Sequence, residues 1–304
     1  MTNKRKQIHS LKQIAPLATS ALFYEAALSP KPGLVDRLTN GAHKDMTFFT
    51  FIDSAVALSP FFEAYLSYGY KEKEGLDELF AHLRQEGKKA EIAMLEATDG
   101  INTHKGANFS FAVLLGACGY YLQDKKKLAF SEVDSAAICA LAGEMTVSLI
   151  EQDFASLSHK KELSYGEKLY LTHGITGIRG EAGQGYPNLT DLLLPYLREN
   201  LWSDLPLGHE RNQLVLLRAL LLLMSQVEDG NIIHRGGIEA WQTIKKETGE
   251  IHEQLLSDQD LLNYLTTYDQ LLIQRHLSPG GAADLLSLGI FFILLENCYL
   301  QLEA

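Results

Sequence analysis

The spacing of apolar residues is the feature that most constrains how this chain folds. Ten segments carry apolar residues three and four positions apart, whereas sustained alternation of apolar and polar residues is close to absent. Two segments, "QLVLLRALLLLM" (213–224) and "LLSLGIFFILL" (285–295), are apolar on nearly every face, as is typical of helices inside a multi-layer bundle. The pattern predicts one all-α domain of about ten to twelve helices spanning residues 1–304. The ten segments are Leu17–Leu28, Phe48–Leu66, Leu76–Ala97, Phe109–Leu122, Val133–Phe154, Leu189–Leu197, Asn212–Val227, Gly237–Glu247, Asp258–His276 and Ala282–Leu300.

Composition and charge limit which classes of partner and which cellular compartment are expected. The net charge of -11 and the pI near 5.4 disfavour nucleic acid and membrane surfaces as partners, since both select basic faces. No apolar segment follows the basic N-terminus as in a signal peptide, and the run 285–295 is shorter than the ~20 residues of a membrane span. Cys118, Cys139 and Cys298 lie in apolar segments without a CxxC pair, which favours buried reduced thiols. These features predict a cytoplasmic protein.

Five connections between the helices are unlike ordinary turns, because each combines glycine with charged residues. No HExxH, GxSxG or Walker A pattern occurs in the sequence, so zinc, covalent acyl and P-loop chemistry have little support. The first to fifth loops, in chain order, are "ALSPKPGLVDRLTNGAHKDM" (27–46), "ATDGINTHKGANF" (97–109), "THGITGIRGEAGQGYPNL" (172–189), "EDGNIIHRGG" (228–237) and "HLSPGGAADLLSLG" (276–289).

The second and fifth loops have the composition of a phosphate-binding helix start. In the fifth loop, Ser278 can cap a helix that begins at Pro279, and Gly280 and Gly281 leave the first backbone N–H groups open to an anion. In the second loop, Lys105 adds a positive charge beside Gly106. Each start taken alone is more often plain helix capping than a ligand site.

The first loop combines cations with carboxylates. Lys31 and Arg37 can bind phosphate, while Asp36 and Asp45 suit a Mg²⁺ ion, which takes one or two carboxylates and is otherwise held by substrate oxygens and water. A solvated loop with surface ion pairs is the alternative.

The third and fourth loops add two arginines. Arg179 offers a bidentate fork for phosphate, although an Arg–Glu pair with Glu181 that fixes the loop is an equal alternative. Asp229, Asn231 and Arg235 stand together at a third helix entrance. The five loops together predict a magnesium–polyphosphate site.

The five stretches, in this order, resemble the triphosphoribosyl-dephospho-coenzyme A synthases. That family makes the prosthetic-group precursor of citrate lyase, and close relatives serve malonate decarboxylase. The resemblance runs from about residue 20 to residue 295, which is nearly the whole chain. Five long motifs in one order are more specific than any single glycine pattern.

The resemblance implies a glycosyl transfer. ATP gives its 5-triphosphoribosyl unit to the ribose 2′-hydroxyl of 3′-dephospho-coenzyme A, adenine leaves, and Mg²⁺ is expected with ATP. Such a displacement needs a carboxylate to stabilise an oxocarbenium-like transition state, an acid for the base that leaves and a base for the incoming hydroxyl. Asp229 is expected as base or stabiliser, His104 as proton donor to adenine, and Asp36 and Asp45 as catalytic or metal-binding carboxylates. The substrate-binding residues are expected to be Lys31, Arg37, Asn102, Lys105, Gly106, Arg179, Glu181, Asn231, Arg235, Ser278, Gly280 and Gly281.

Two other functions use the same loops. In a nucleotide or ADP-ribose hydrolase on an all-α scaffold, water replaces the acceptor hydroxyl. A non-enzymatic protein would instead deliver the precursor to a partner transferase, which leaves the carboxylates and His104 without a task. The two wholly apolar segments fit a core or a subunit interface, so a homodimer stays open, as does the choice between citrate lyase and malonate decarboxylase.

Overall fold

Helices dominate the computed structural model, which describes residues 5–155, 163 and 165–302. The prediction of an all-α protein is confirmed, with twelve α-helices among the described residues. A short 3₁₀ helix, Leu11–Gln13, precedes the first of them, and a π-helical segment, Asn188–Leu193, leads directly into the eighth. The helices are α1 (Ala15–Ala27), α2 (Phe48–Lys71), α3 (Leu76–Ala97), α4 (Lys105–Tyr121), α5 (Glu132–Ala155), α6 (Tyr165–His173), α7 (Gly177–Gly183), α8 (Leu194–Asn200), α9 (Glu210–Gln226), α10 (Gly230–Glu253), α11 (Asp258–Arg275) and α12 (Gly280–Glu296).

The helix boundaries depart from the predicted ones for local reasons. Helix α10 begins at Gly230 rather than Gly237, because Asp229 caps it, and the backbone of Gly237 (φ 80, ψ 178) then interrupts it. The short helices α6 and α7 were not predicted, since α7 has three glycines in seven residues and glycine disfavours helix. The predicted end of the last helix at Leu300 is wrong, because α12 stops at Glu296 and the chain continues as a strand.

A small sheet, which the sequence did not predict, joins distant parts of the chain. Strands β1 (Lys6–Ile8), β2 (Lys127–Ala129) and β3 (Cys298–Gln301) are ordered β1-β3-β2. Strand β3 lies parallel to β1 and antiparallel to β2. Each strand has only three or four residues, too few to show the alternation by which strands are detected in a sequence.

The two wholly apolar segments are core helices. Almost all of their apolar side chains, on α9 and α12, are buried in one cluster that also takes in residues of α1, α2 and α4. Their composition is therefore explained within one chain and gives no support to a dimer interface. All three cysteines are buried and free, as expected. None of the described helices combines the length and apolarity required to cross a bilayer.

Helices α2 and α4 are in backbone contact near their C-terminal ends. A Cβ atom added to Gly69 of α2 would lie 1.9 Å from the carbonyl oxygen of Gly116 in α4. One added to Gly119 would lie 2.1 Å from the carbonyl oxygen of Leu66. Glycine is therefore required at both contacts. The second loop is held against α2 separately, by the hydrogen bonds of Thr103 and His104 with Ser54.

Candidate functional site

Four of the five loops meet around the starts of α4, α10 and α12. The third loop is less closely joined to this region: Ile175 and Ile233 share one small apolar cluster, and no described hydrogen bond joins Arg179 or Glu181 to the other loops. The contacts that join the four loops are Gly33 with Leu277, Arg235 with Ala42, Gly280 with Asn231, Asp229 with Ala282, and Gly106 with Asp284.

The first and fifth loops touch through their backbones at Gly33. This glycine has a φ of +72°, and a Cβ atom on it would lie 2.3 Å from the carbonyl oxygen of Leu277. Its N–H donates to the Asp269 carboxylate of α11 at 2.9 Å, and Asp269 also accepts from the Thr39 hydroxyl at 3.1 Å. Only glycine fits this position, so the loop is held against α11 and the start of α12.

Asp36 determines the conformation of the first loop. It is 3 % exposed, and its carboxylate accepts backbone N–H groups of Lys31 at 2.8 Å, Leu38 at 2.6 Å and Thr39 at 2.9 Å. Both oxygens are thus engaged by the protein, which is the arrangement of a loop-stabilising aspartate. Its predicted metal-binding or catalytic role would have to use the remaining lone pairs.

The two carboxylates predicted to bind Mg²⁺ are in different environments. Asp36 is buried, whereas the Asp45 side chain is 62 % exposed and lies 3.8 Å from His43. Among the described residues, no group of three or more His, Cys, Asp or Glu side chains is arranged to hold a metal ion. The chain therefore fits only a Mg²⁺ ion held mainly by substrate phosphates and water, with one or two carboxylates from the protein.

Lys31 forms a buried ion pair with Glu25 of α1. Lys31 is 1 % exposed and Glu25 is 4 % exposed, and the lysine Nζ donates to Glu25 Oε1. Burial raises the pKa of Glu25, and the adjacent lysine charge opposes that effect. Lys31 was predicted to bind phosphate, yet its charge already compensates that of Glu25.

His104 is buried at the start of α4 with one ring nitrogen unpartnered. Its Nδ1 lies 2.7 Å from the Ser54 hydroxyl, which itself accepts a hydrogen bond from Thr103 at 2.7 Å. The Ser54 hydrogen is thus available to Nδ1, so the network assigns the ring proton to Nε2. Nε2 has no hydrogen-bond partner. Burial, followed by the charge of Lys31, lowers the pKa of His104 to about 3, so the ring is neutral at pH 7.

Asp229 caps two helices with one carboxylate. Its Oδ1 accepts the N–H groups of Asn231 at 2.9 Å and Ile232 at 3.1 Å in α10, while its Oδ2 accepts the Ala282 N–H of α12 at 3.1 Å. Burial raises the pKa of Asp229, and these N–H groups oppose the increase. The donors predicted to be free for phosphate at the start of α12 are therefore partly taken by Asp229.

Asp284 of α12 occupies the space that Gly106 leaves at the start of α4. A Cβ atom on Gly106 would lie 2.1 Å from Asp284 Oδ2, and the Ala107 N–H donates to this carboxyl group. Burial raises the pKa of Asp284 well above its ordinary value, and the negative charges of Glu25 and Asp229 raise it further. The absence of a side chain at Gly106 therefore leaves the space that the Asp284 carboxyl group fills.

Ser278, His43 and Arg235 link three loops. The His43 Nε2 lies 3.0 Å from the Ser278 hydroxyl, and Arg235 Nη1 donates to the Ala42 carbonyl at 3.0 Å. Burial and the charge of Arg235 lower the pKa of His43 to about 4. The prediction that Ser278 caps α12 from a helix starting at Pro279 is wrong, because α12 begins at Gly280 and Asp229 provides the cap.

The remaining predicted cations lie on the surface. Arg37 is exposed, Lys105 binds Glu91 with its side chain 57 % exposed, and Arg179 lies 3.9 Å from Glu167 with its side chain 40 % exposed. Exposed cations of this kind can bind a phosphate chain at low desolvation cost.

Three predicted polar residues shape their loops. Glu181 accepts the backbone and side-chain N–H groups of Asn188, at 2.8 and 2.7 Å, so the alternative pair of Glu181 with Arg179 is not formed. Asn102 accepts the Lys105 N–H at 3.3 Å. The Asn231 amide fills the space at Gly280, where a Cβ atom would lie 2.4 Å from its Nδ2.

Sequence reasoning missed two acidic residues beneath the loops, although both left a signal. Glu25 is the only charged residue in the otherwise apolar segment 17–28, a position that a surface glutamate would not occupy. Asp284 stands one helical turn after Gly280 and Gly281, and therefore on their face of α12.

Comparisons with known proteins bear on this arrangement of loops. The model of the family described as ATP:dephospho-CoA triphosphoribosyl transferase matches residues 11–301. The chain belongs to this family. It is 54% identical over 292 residues to a "Probable 2-(5''-triphosphoribosyl)-3'-dephosphocoenzyme-A synthase" of Streptococcus equi subsp. zooepidemicus, covering 93% of this chain and 97% of that protein. A protein of Streptococcus pyogenes serotype M5 with the same name is 54% identical over 295 residues, covering 94% and 98%. No solved structure matches the chain significantly. The family that the five loops resemble is thus confirmed, and the hydrolase alternative is not supported.

Proposed function

We propose that this protein transfers the triphosphoribosyl group of ATP to dephospho-CoA and releases adenine. The bond from the ribose C1 to adenine breaks, a bond from C1 to the acceptor oxygen forms, and the acceptor hydroxyl loses the proton that adenine gains. The observation that carries the proposal is the meeting of loops from residues 27–46, 97–109, 228–237 and 276–289 around three helix starts. Membership in a family with that activity supports it.

The distribution of charge supports one orientation of ATP in the site. Arg37 and Lys105 are exposed, whereas Glu25 and Asp229 are buried beneath the loops. We expect the triphosphate to bind the exposed cations, with the ribose C1 turned toward the carboxylates. Positive charge develops at C1 in the transition state, so carboxylates on that side lower the barrier.

Magnesium belongs to this proposal as a companion of ATP. When bound, Mg²⁺ neutralises phosphate charge. Asp36 and Asp45 are the predicted protein ligands, and the spare lone pairs of Asp36 and the exposure of Asp45 are compatible with an ion shared with phosphate. The neutral His104 Nε2–H can donate a hydrogen bond to the substrate from a fixed position.

The product is expected to serve as the precursor of the prosthetic group of citrate lyase or malonate decarboxylase. A downstream transferase would then be the functional partner. A cytoplasmic location and a homodimer likewise stay predictions, and gel filtration with light scattering would measure the oligomeric state.

Chromatography of the reaction mixture tests the proposed function. Purified protein is incubated with ATP, Mg²⁺ and 3′-dephospho-coenzyme A, and each component is omitted in turn. We expect adenine only when the acceptor is present, together with an equal amount of a heavier coenzyme A species. Adenine without acceptor would indicate a hydrolase, and no adenine from folded protein would indicate a binding protein. The Asp229→Ala variant, purified in the same way, controls for contaminating nucleotidases.

A further inference from the structure

Three acidic side chains from three helices converge beneath the loops. Glu25 comes from α1, Asp229 from the start of α10 and Asp284 from α12. The charges of Glu25 and Asp229 both act on Asp284, so the three groups are electrostatically coupled. Like charges repel strongly where water is excluded, so each member of such a cluster in a nucleotide site is expected to have a specific role.

Two members of the cluster are fully engaged by the protein. Glu25 is 4 % exposed and binds the buried Lys31, which compensates its charge. Asp229 is 2 % exposed and accepts three backbone N–H groups at 2.9–3.1 Å. Both arrangements favour the ionised carboxylate through direct partners and leave little surface for a substrate.

Asp284 differs from both. It keeps part of its surface accessible, and its carboxyl group projects over Gly106 into the start of α4. Among the described residues, the direct contact that favours its ionised form is the bond from the Ala107 N–H, while burial and two neighbouring carboxylates favour the protonated form. Asp284 therefore combines a carboxyl group whose surroundings favour the protonated form with partial exposure of the residue at the start of α4.

His104, at the start of α4, is poorly suited to protonate adenine. Its ring lies at the same helix start as Asp284, buried and with Nε2 unpartnered. Because its pKa is lowered to about 3, an imidazolium that could protonate adenine is scarcely populated at pH 7. His104 can orient the substrate through Nε2–H but is a poor acid for the step to which the sequence assigned it.

We propose that Asp284 is the general acid that protonates adenine as it leaves. The proposal rests on the transfer reaction proposed above. The carboxyl proton passes to a ring nitrogen of adenine while the bond from C1 to N9 breaks, leaving Asp284 as a carboxylate and adenine as a neutral base. The acceptor hydroxyl releases its proton when its oxygen bonds to C1, and Asp284 is reprotonated through solvent after the products depart. The net change is one proton moved from the hydroxyl to adenine.

The Asp284→Asn variant and two donor nucleotides test this role. Asparagine has nearly the same shape and keeps an acceptor for the Ala107 N–H but cannot give a proton. We expect kcat with ATP to fall about 100-fold or more, with KM for ATP changed less than about threefold. With N7-methyl-ATP, whose cationic base leaves without protonation, we expect the variant to reach within about tenfold of the wild-type rate.

A second buried aspartate provides the matched control. Asp134, in the first turn of α5, accepts the Ser131 N–H and hydroxyl and the Tyr121 hydroxyl, and no described hydrogen bond joins its side chain to the loops of the site. Asp134→Asn should keep wild-type rates with both nucleotides. If Asp284→Asn does not fold by circular dichroism, Asp284→Ser, which is smaller and still offers an acceptor oxygen, replaces it in the same comparison.

Two outcomes would overturn the proposal while leaving the transferase activity in place. An equal loss with ATP and N7-methyl-ATP would mean that Asp284 supports the structure of the site and gives no proton. Recovery of the Asp284→Asn rate with ATP at high Mg²⁺ would mean that Asp284 binds the metal. Inactivity of the wild-type protein with both nucleotides would refute the proposed function itself, so the two failures are distinguishable.

Discussion

Replacing Lys31 by methionine removes the positive member of the buried pair and leaves Glu25 without its partner. Lys31 is 1 % exposed and Glu25 is 4 % exposed, so water cannot replace the lost ammonium group. Breaking a buried pair from one side costs about 3–5 kcal/mol of the free energy of unfolding. We expect the Lys31→Met variant to lose that amount at pH 8.

The size of this loss must depend on pH, because the isolated carboxylate can bind a proton instead of remaining charged. Protonating Glu25 costs about 1.4 kcal/mol for each pH unit above the pKa that this residue has in the unfolded chain. With the ordinary value of 4.5 for Glu25, the cost has an upper limit of about 5 kcal/mol at pH 8 and about 1.4 kcal/mol at pH 5.5. The folded variant binds more protons than the unfolded chain in this range, so its stability falls as the pH rises.

Urea unfolding of the wild type and variants at pH 5.5 and pH 8 measures both quantities. Glu25→Leu/Lys31→Met, which removes both charges, should recover most of the stability. Lys105→Met is the matched control, because Lys105 pairs with Glu91 at the surface and should change stability by about 1 kcal/mol or less. A loss under about 1 kcal/mol for Lys31→Met at pH 8, or the same loss at both pH values, would refute the reasoning.

Three further predictions concern packing, capping and thiol reactivity. Asp229→Ala removes the caps of α10 and α12 and should lower the free energy of unfolding by about 2 kcal/mol, whereas unchanged urea unfolding would contradict the double cap. Gly69→Ala should cost about 1–3 kcal/mol by forcing α2 from α4. Gly87→Ala in α3, where an added Cβ would lie 3.9 Å from the Tyr65 hydroxyl oxygen in an ordinary contact, should be neutral or stabilising in the same thermal melts. Burial raises the pKa of Cys118 to about 12, so a thiol reagent at pH 8 should modify it only after denaturation, and rapid reaction of the native protein would be inconsistent with its burial.

The fold was predictable from the sequence wherever the apolar spacing was sustained over several helical turns. The helix at the centre of the bundle could be recognised from "LLSLGIFFILL", because a helix that is apolar on every side must be covered by other helices on every side. The three strands and helices α6 and α7 could not, because three to nine residues carry too little periodicity to outweigh their composition.

The loops that form the site were also visible in the sequence, but the partners of their charged groups were not. Lys31 and Asp36 have the composition of phosphate and metal ligands, yet the first pairs with Glu25 and the second binds backbone N–H groups. These contacts depend on which helix packs beneath a loop, which is information that local spacing does not contain. Asp284 shows the same limit, because its importance appears only when α12 is placed against the start of α4.

The contacts that complete the site join residues from opposite ends of the chain. Gly33 bonds to Asp269, Gly106 receives Asp284, and strand β1 pairs with β3. During synthesis the ribosome releases the first two loops long before α11 and α12 exist. Those loops can therefore make their native contacts only after α11 and α12 have folded. The site is then among the last parts of the molecule to form, and nucleotide can bind only to the completed bundle.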